Sequence, residues 1–340
     1  MIEKKNSRLS FATVTLLDRV RDFGDETNAN SHGAVCPICR RTGAQQWMRA
    51  PDRLHGRREE YILLRCPGCS LVWLDNAPRP EEMHHHYTDA YHRLISGAGE
   101  NSPDRWRDRI DTLRHFKQSG ALLDLGCSSG GFLSAFATDV WKLYGIEMSV
   151  ECAKRAEATT GADVFVGDVP DAPFPANMFD VITCFDVLEH MYQPLRVMTK
   201  VREWLKPNGI FYVQVPNIDS AEARLFRSYW HGLEMPRHLF HFNPKSLATL
   251  ADGAGLVTAS LETRRNNAVG VGVRYMWHDA CRAAGITKTP VAYRAEPGIA
   301  WRAARKLVRL TALRLALSSF PLFGDGESIH AVFRKEKMSS

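Results

Sequence analysis

The sequence has no long run of uncharged apolar residues. No stretch of about 18 such residues occurs anywhere in the 340-residue chain, so the sequence predicts no membrane-spanning helix. The first twenty residues contain a weak apolar patch but lack the small-residue cleavage site of a signal peptide. We therefore expect a mature cytoplasmic protein.

The sequence also lacks the cysteine density of a disulfide framework, because it has 8 cysteines in a long chain. Four of them form two C-x-x-C units separated by 26 residues: Cys36, Cys39, Cys66 and Cys69. Two such units can place four thiolates tetrahedrally around Zn²⁺. With four cysteines the ion has no open coordination position, so the pattern predicts a structural zinc ribbon over residues 35–75 and no catalytic metal. A dithiol redox pair is the alternative, but the adjacent βαβ unit that it needs is absent.

The positive charge is concentrated in one segment. The chain has a net charge of +6, whereas Arg264 to Lys337 holds 14 Lys and Arg against 5 Asp and Glu, a net +9. Within this segment, residues 299–320 read as a helix with a basic stripe. Three interpretations stay open: peripheral contact with a membrane surface, contact with a phosphate of the acceptor, and a solvated stripe on a helix packed against the core.

One glycine-rich stretch organises the chain. Residues 122–133, LLDLGCSSGGFL, read as a buried strand, a tight turn and the opening of a helix. This is the nucleotide-binding corner of an open α/β sheet. The dinucleotide pattern G-x-G-x-x-G is incomplete, because Ser128 stands where its second glycine belongs. Asp124 at the strand end would repel a pyrophosphate and suits a cationic ligand.

From residue 121 onwards, strand and helix patterns alternate, which predicts an α/β fold with a doubly wound, Rossmann-like parallel sheet. Glu147 ends the second strand, 23 residues after Asp124, which is the spacing of the acid that accepts ribose hydroxyls in such folds. The run 179–185, FDVITCF, is largely apolar, as a central parallel strand requires. Asp186, Glu189 and His190 follow it on the ligand side of the sheet.

These motifs resemble class I S-adenosylmethionine (SAM) methyltransferases over residues 121–263. The resemblance is carried by Asp-x-Gly-x-x-x-Gly at 124–130, Asp-x-Leu-Glu-His at 186–190 and the Lys-Pro-Asn-Gly turn at 206–209. It implies that Asp124 faces the charged methionine end of SAM, that Glu147 accepts from the ribose and that Asp168 accepts from the adenine amino group. The implied cofactor-binding set is Asp124, Gly126, Cys127, Ser128, Gly130, Glu147, Met148, Asp168, Val169, Phe185 and Asp186.

The zinc ribbon and the segment PRHLFHFNPKSL resemble a bacterial group of methyltransferases with two branches. In the nucleotide-sugar C-methyltransferases, a histidine in E-H-L-S-Y-F acts in proton removal, and it aligns with His238. The chain departs from that branch, because residues 234–236 replace the upstream tyrosine–histidine pair. It is more similar to the branch from cell-surface glycan and secondary-metabolite clusters. We predict His238 as the general base, with His241 and His190 as further catalytic candidates, and expect His238 and His241 to share a face of a helical turn.

The predicted domains are an N-terminal extension (1–34), the zinc ribbon (35–75), linker helices (76–120) and a SAM-binding domain (121–336) with acceptor-side inserts at 217–243 and 264–326. The predicted function is O- or C-methylation of a small-molecule, sugar or secondary-metabolite acceptor, with phosphate- and nucleotide-bearing molecules among the candidates. An RNA-modifying enzyme that grips nucleic acid with its ribbon and basic segment is one alternative, although residues 66–90 are not markedly basic. A SAM-binding protein without catalysis is the other. The sequence predicts no oligomeric state.

Overall fold

The computed structural model describes residues 33–57, 59–88, 103–138, 140–265, 269–285 and 326–335. The predicted N-terminal extension up to residue 32 and the predicted basic helix over 299–320 lie outside these residues. The strands are β1 Gln45–Pro51, β2 Glu60–Arg65, β3 Val72–Leu74, β4 Gly120–Leu125, β5 Trp141–Glu147, β6 Asp163–Val166, β7 Phe179–Phe185, β8 Leu205–Pro216, β9 Phe240–His241, β10 Leu256–Arg264 and β11 Ser328–Lys335. The helices are α1 Pro80–Met83, α2 Pro103–Phe116, α3 Val150–Thr160, α4 Pro194–Trp204, α5 Ala221–Phe226, α6 Pro244–Gly253 and α7 Val269–Ala283. Within the described ranges, no helix is both long and apolar enough to cross a bilayer.

The larger sheet has seven strands in the order β10-β11-β8-β7-β4-β5-β6. Strands β4 to β8 pair in parallel, and β11 runs antiparallel to β8 and β10. The central strands β4 and β7 are buried along most of their length, because helices cover both faces of a doubly wound sheet. The predicted α/β class is confirmed, and the strand order reverses between β4 and β7, where such sheets bind their ligands.

The smaller sheet is antiparallel and has the order β1-β2-β3-β9. Its first three strands come from the predicted ribbon, whereas β9 belongs to the predicted acceptor-side insert. Val72 pairs with His241 and Trp73 with Phe240. Ribbon and insert also share one hydrophobic core, in which Leu71 and Phe240 are buried together with residues of the larger sheet. The ribbon is therefore completed by a strand that lies about 170 positions further along the chain.

Two predicted elements differ in the structure. The prediction of a helix after the glycine turn is wrong, because a single 3₁₀ turn, Leu133–Phe136, follows it instead. A β-carbon at Gly130 would lie only 3.0 Å from the Cα of Ala156, so α3 packs directly on the turn and restricts the path of the chain beyond it. The strand expected to begin at residue 210 begins at Leu205, because the predicted turn continues the strand with Asn208 at φ +63°.

Candidate active site

Asp124 lies at the carboxyl end of β4, with 5% of its surface exposed. Its Oδ1 accepts a hydrogen bond from Thr183 Oγ1 of the neighbouring strand β7 at 2.6 Å. Burial raises the pKa of this carboxyl group to about 7, although the Thr183 hydrogen bond opposes the shift. A cationic ligand beside Asp124 would favour its ionised form, so this position suits the charged methionine end of SAM.

The glycine turn folds as a tight cradle after β4. Gly126 has φ +72°, and a β-carbon there would lie 2.6 Å from Val187, so a larger residue cannot occupy this position without displacing its neighbour. Ser128 also has a left-handed backbone, with φ +48°. Glu147, at the end of β5, accepts hydrogen bonds from the backbone N–H groups of Ser128 at 3.0 Å and Ser149 at 2.8 Å. Each carboxylate oxygen has a second lone pair, so Glu147 can still accept from ribose hydroxyls.

The predicted adenine end lies next to the turn, after β6. Asp168 Oδ1 accepts a hydrogen bond from the backbone N–H of Val169 at 2.7 Å, and burial raises the pKa of Asp168. Val169 is buried, whereas Met148 is 72% exposed. Cys127 is buried, and a β-carbon on Gly145 would lie 2.5 Å from its Sγ, so the thiol packs against β5. The structure thus brings the predicted cofactor residues to one edge of the sheet.

A half-buried arginine that the sequence analysis missed lies at the same edge. Arg109 of α2 places its guanidinium 3.8 Å from Asp186 and 5.5 Å from the ring centroid of Phe185. Gln214 holds Asp186 from the other side, donating to its carboxylate at 2.9 Å. Among the described residues, Arg109 Nε has no hydrogen-bond partner. In the sequence, only its position in the amphipathic helix, three residues after Trp106, could have indicated that it lies near the site.

The three histidines predicted for catalysis lie where the turn after β7 meets the segment that leads into β9. The rings of His190 and His238 are 4.6 Å apart, and those of His238 and His241 are 6.2 Å apart. The predicted helical turn is wrong, because His241 lies in strand β9. Glu189 is 1% exposed, and its carboxylate oxygens have no hydrogen-bond partner among the described residues. His190, His238 and His241 therefore form one contiguous cluster of rings, and Glu189 Oε1 lies 4.0 Å from His238 Nε2.

Hydrogen bonds to backbone carbonyls orient these imidazoles. His238 Nδ1 donates to the carbonyl of Gly232 at 2.9 Å, and His241 Nε2 donates to the carbonyl of Leu233 at 3.1 Å. Because a carbonyl only accepts, the Nε2 of neutral His238 carries a lone pair. Burial and the neighbouring histidines hold the pKa of His238 well below its usual value, and burial lowers the pKa of His241 to about 4. Both rings are thus neutral at physiological pH. Burial also raises the pKa of Glu189 well above its usual range.

The ribbon holds this acceptor side in place. Asp52 and Arg237 form a fully buried ion pair, with contacts of 3.3 and 3.4 Å between guanidinium and carboxylate. Leu239 bridges the two parts: its N–H donates to the carbonyl of Glu189 at 2.8 Å, and its own carbonyl accepts from the N–H of Leu74 at 2.9 Å. The segment that carries His238 is therefore fixed between the ribbon and the turn after β7.

The four ribbon cysteines meet in one cluster. Their sulfur atoms lie within 4.8 Å of one another, with 3.6 Å between Cys36 and Cys69 and 3.4 Å between Cys39 and Cys66. Tetrahedral zinc with Zn–S bonds of about 2.3 Å separates its sulfur ligands by about 3.8 Å. The backbone N–H of Gly68 donates to Cys66 Sγ at 3.2 Å, as a thiolate ligand would allow. The donor set and its spacing fit a closed zinc site.

Comparison with known proteins shows which family this part of the chain is similar to. A family model described as a methyltransferase domain matches residues 98–261, just under half of the chain. An uncharacterised methyltransferase of Schizosaccharomyces pombe is 26% identical over 136 residues, which are 36% of this chain and 48% of that protein. A ubiquinone biosynthesis O-methyltransferase of Paraburkholderia phymatum is 27% identical over 154 residues, 42% of this chain and 66% of that protein. The chain thus spans about half to two thirds of the length of these relatives.

Solved structures are similar too. A SAM-dependent methyltransferase from Archaeoglobus fulgidus aligns with 72% of this chain and 98% of its own, at 16% sequence identity and a TM-score of 0.48. The matched family region, residues 98–261, contains the glycine turn and the acids after β4, β5, β6 and β7. Residues 98–261 thus match a methyltransferase-domain model, and the seven-stranded sheet that they largely form has an α/β, Rossmann-like fold.

Proposed function

We propose that the protein transfers the methyl group of SAM to an oxygen or carbon atom of a small-molecule acceptor, with His238 as the proton acceptor. One observation carries the proposal: His238, from the segment before β9, meets His190 and Glu189 at the same sheet edge that holds Asp124 and Asp186. The proposed cofactor residues and a neutral buried imidazole thus lie at the same end of the parallel strands. The relatives named as ubiquinone biosynthesis O-methyltransferases favour an oxygen acceptor.

The cofactor would lie along the edge with its adenine near Asp168 and its ribose at Glu147. The sulfonium and ammonium would lie near Asp124, while the Arg109 guanidinium offers a cation for the carboxylate of the methionine end. SAM carries no phosphate, which agrees with a carboxylate rather than a row of N–H donors at the end of β4.

In the reaction, the bond between sulfur and the methyl carbon breaks as the acceptor atom attacks in line. The acceptor loses a proton to His238 Nε2, and S-adenosylhomocysteine leaves. Holding donor and acceptor aligned contributes about 7–11 kcal/mol to lowering such a barrier. A positioned base adds about 10²- to 10⁴-fold in rate.

A structural zinc ion belongs to the same proposal. The cysteine cluster would hold it, and the closed set of four thiolates leaves no place for substrate. Its effect on the chemistry is indirect, because the ribbon supplies Asp52 and strand β3 to the acceptor segment. A ribbon with so little core of its own needs such an ion.

The test is transfer of labelled methyl from SAM into fractionated small molecules and nucleotide sugars, with mass spectrometry of the product. We expect label in one small-molecule fraction, and we expect His238→Ala to lower turnover at least about 100-fold while its SAM affinity is unchanged. His115→Ala, an exposed histidine of α2, is the matched control and should retain full turnover.

Three results would contradict the proposal. Wild-type turnover by His238→Ala would remove the base. Label in an RNA fraction, with binding that weakens steeply with salt, would favour the nucleic-acid alternative. SAM binding without release of S-adenosylhomocysteine in any fraction would indicate a protein without catalysis.

A further inference from the structure

Glu189, His190 and His238 form a second cluster of ligand atoms, separate from the ribbon cysteines. One atom from each of these three side chains lies within 4.8 Å of the other two. We propose that they bind a divalent cation of the zinc class, with an open coordination position that faces the acceptor. This inference rests on the proposed function, because it assumes that the acceptor binds against the His238 segment.

The two histidines are oriented as metal ligands. His190 Nδ1 lies 3.0 Å from the carbonyl of Arg237, and His238 Nδ1 lies 2.9 Å from the carbonyl of Gly232. Because a carbonyl only accepts, each Nδ1 carries its proton, and the Tyr87 hydroxyl, 3.2 Å from His190 Nδ1, accepts from it too. The Nε2 lone pair of each ring is then available. Metal-binding histidines usually donate their second N–H to a carbonyl or carboxylate in this way.

Glu189 is the independent observation. It is 1% exposed, and neither carboxylate oxygen has a hydrogen-bond partner among the described residues. A buried carboxylate without a partner is costly, and a native structure rarely leaves one unexplained. Glu189 Oε1 lies 4.0 Å from His238 Nε2. Two ligands of a tetrahedral zinc ion lie about 3.4 Å apart, so closing this gap requires a shift of less than about 1 Å.

The charges around the cluster favour a cation. Glu234 Oε2 lies 3.7 Å from His238 Nε2 and adds a second carboxylate. The nearby guanidinium of Arg237 is paired with Asp52 and Glu234. Two imidazoles and one carboxylate are the ligand set of open zinc sites, in which the fourth position takes water or substrate.

A cation here would change the role of His238, because one lone pair cannot hold a metal and a proton at the same time. The acceptor hydroxyl would bind through its oxygen at the open position, which lowers the pKa of the hydroxyl. Its proton would pass to Glu234, whose side chain is 25% exposed, and from there to solvent. The oxygen–methyl bond then forms as the sulfur–methyl bond breaks, with no change in oxidation state.

The test is the zinc content of the full-length protein after dialysis against buffered micromolar zinc, with calorimetry of SAM binding as a check of folding. We expect two zinc equivalents in the wild type and one in both Glu189→Gln and His190→Ala. Glu157→Gln, an exposed glutamate of α3, is the matched control and should keep two. We expect the remaining equivalent in the variants to be lost on Cys69→Ser.

One equivalent in the wild type, lost entirely on Cys69→Ser, would overturn the inference; His238→Ala would then still test the base. Two equivalents that are unaffected by both cluster variants would overturn it as well. Conversely, two equivalents that fall to one in these variants would support the cation site even if no fraction accepted labelled methyl, a result that would instead refute the proposed function.

Discussion

The two sheets of this protein are built in different ways. In the seven-stranded sheet, each proposed cofactor residue lies at the end of its own strand: Asp124 is next to last in β4, Glu147 is last in β5 and Asp186 directly follows β7. In the four-stranded sheet, no single stretch of sequence forms the whole sheet, because β3 at residues 72–74 pairs with β9 at residues 240–241. One half of the site is thus local in sequence, and the other half depends on contacts across the whole chain.

This difference suggests that the two sheets have separate roles, one in SAM binding and one in positioning the base. The larger sheet contains the proposed cofactor residues, and the smaller sheet positions the proposed base His238, so substitutions in each sheet should have different effects. Variants of the smaller sheet should lose acceptor turnover and retain SAM binding. Variants of the larger sheet should lose SAM affinity first. The following predictions test that separation.

The largest effect should come from Cys69→Ser, which removes one ligand from the cysteine cluster. Binding of a structural zinc can supply roughly 10–16 kcal/mol of folding free energy, so the ribbon should unfold and release the acceptor segment. We expect acceptor turnover to fall more than about 100-fold, while the Kd for SAM by calorimetry changes little. Cys152→Ser, on α3 and outside the cluster, is the control. A parallel loss of SAM affinity would show that the two sheets do not act separately.

Asp52→Asn should have the next largest effect. Asp52 and Arg237 are both fully buried, so the variant removes the buried counter-charge and leaves the guanidinium with Glu234 alone, whose side chain is 25% exposed. Breaking a buried pair in this way costs about 3–5 kcal/mol, and chemical denaturation should show that loss in the free energy of unfolding.

The matched control for Asp52→Asn is Asp219→Asn, which breaks the pair with Arg65 at the same interface. Those side chains are 26% and 33% exposed, so the loss should be within about 1 kcal/mol. Equal losses in the two variants would contradict a special role for the buried pair. Acceptor turnover should follow stability in Asp52→Asn, because Arg237 immediately precedes His238.

The same division explains how much the sequence could predict. The glycine turn, the acids and the apolar strand β7 follow from spacing and periodicity over short windows, so the Rossmann-like fold was predictable. The pairing of β3 with β9 could not be predicted, because β3 has three residues and β9 has two, and strands this short show no periodic pattern. Glu189 was placed after β7, but its missing hydrogen-bond partners are visible only when the packed chain excludes water. Arg109 was missed because its position in an amphipathic helix resembles that of any half-buried cation.

Asp124→Asn should affect the larger sheet alone. The substitution keeps the shape of the side chain but removes the charge that, in the proposed binding mode, would face the sulfonium and ammonium. A hydrogen bond to a charged group contributes about 1.5–3 kcal/mol, so SAM affinity should fall about 10- to 150-fold, as calorimetry can measure. Asp163→Asn, an exposed residue of β6, should bind SAM normally. An unchanged affinity in Asp124→Asn would refute the cofactor assignment at this strand end.

The smallest effect is the pH dependence of SAM binding, and its sign follows from Asp124. Because burial raises the pKa of this carboxyl group to about 7, it is mostly neutral at pH 6 and mostly ionised at pH 8. The cationic cofactor favours the ionised form, so affinity should rise by up to about tenfold from pH 6 to pH 8 and then level off. Burial lowers the pKa of His190 and holds that of His238 well below its usual range, so the titration of both histidines moves towards acid pH and away from that of Asp124. SAM has an amino group of its own, so the decisive comparison is with Asp124→Asn: the difference between the two profiles belongs to Asp124. If the wild type and the variant gave the same slope, the carboxyl group would not face the cofactor. The assignment of the carboxyl end of β4 to SAM binding would then be refuted.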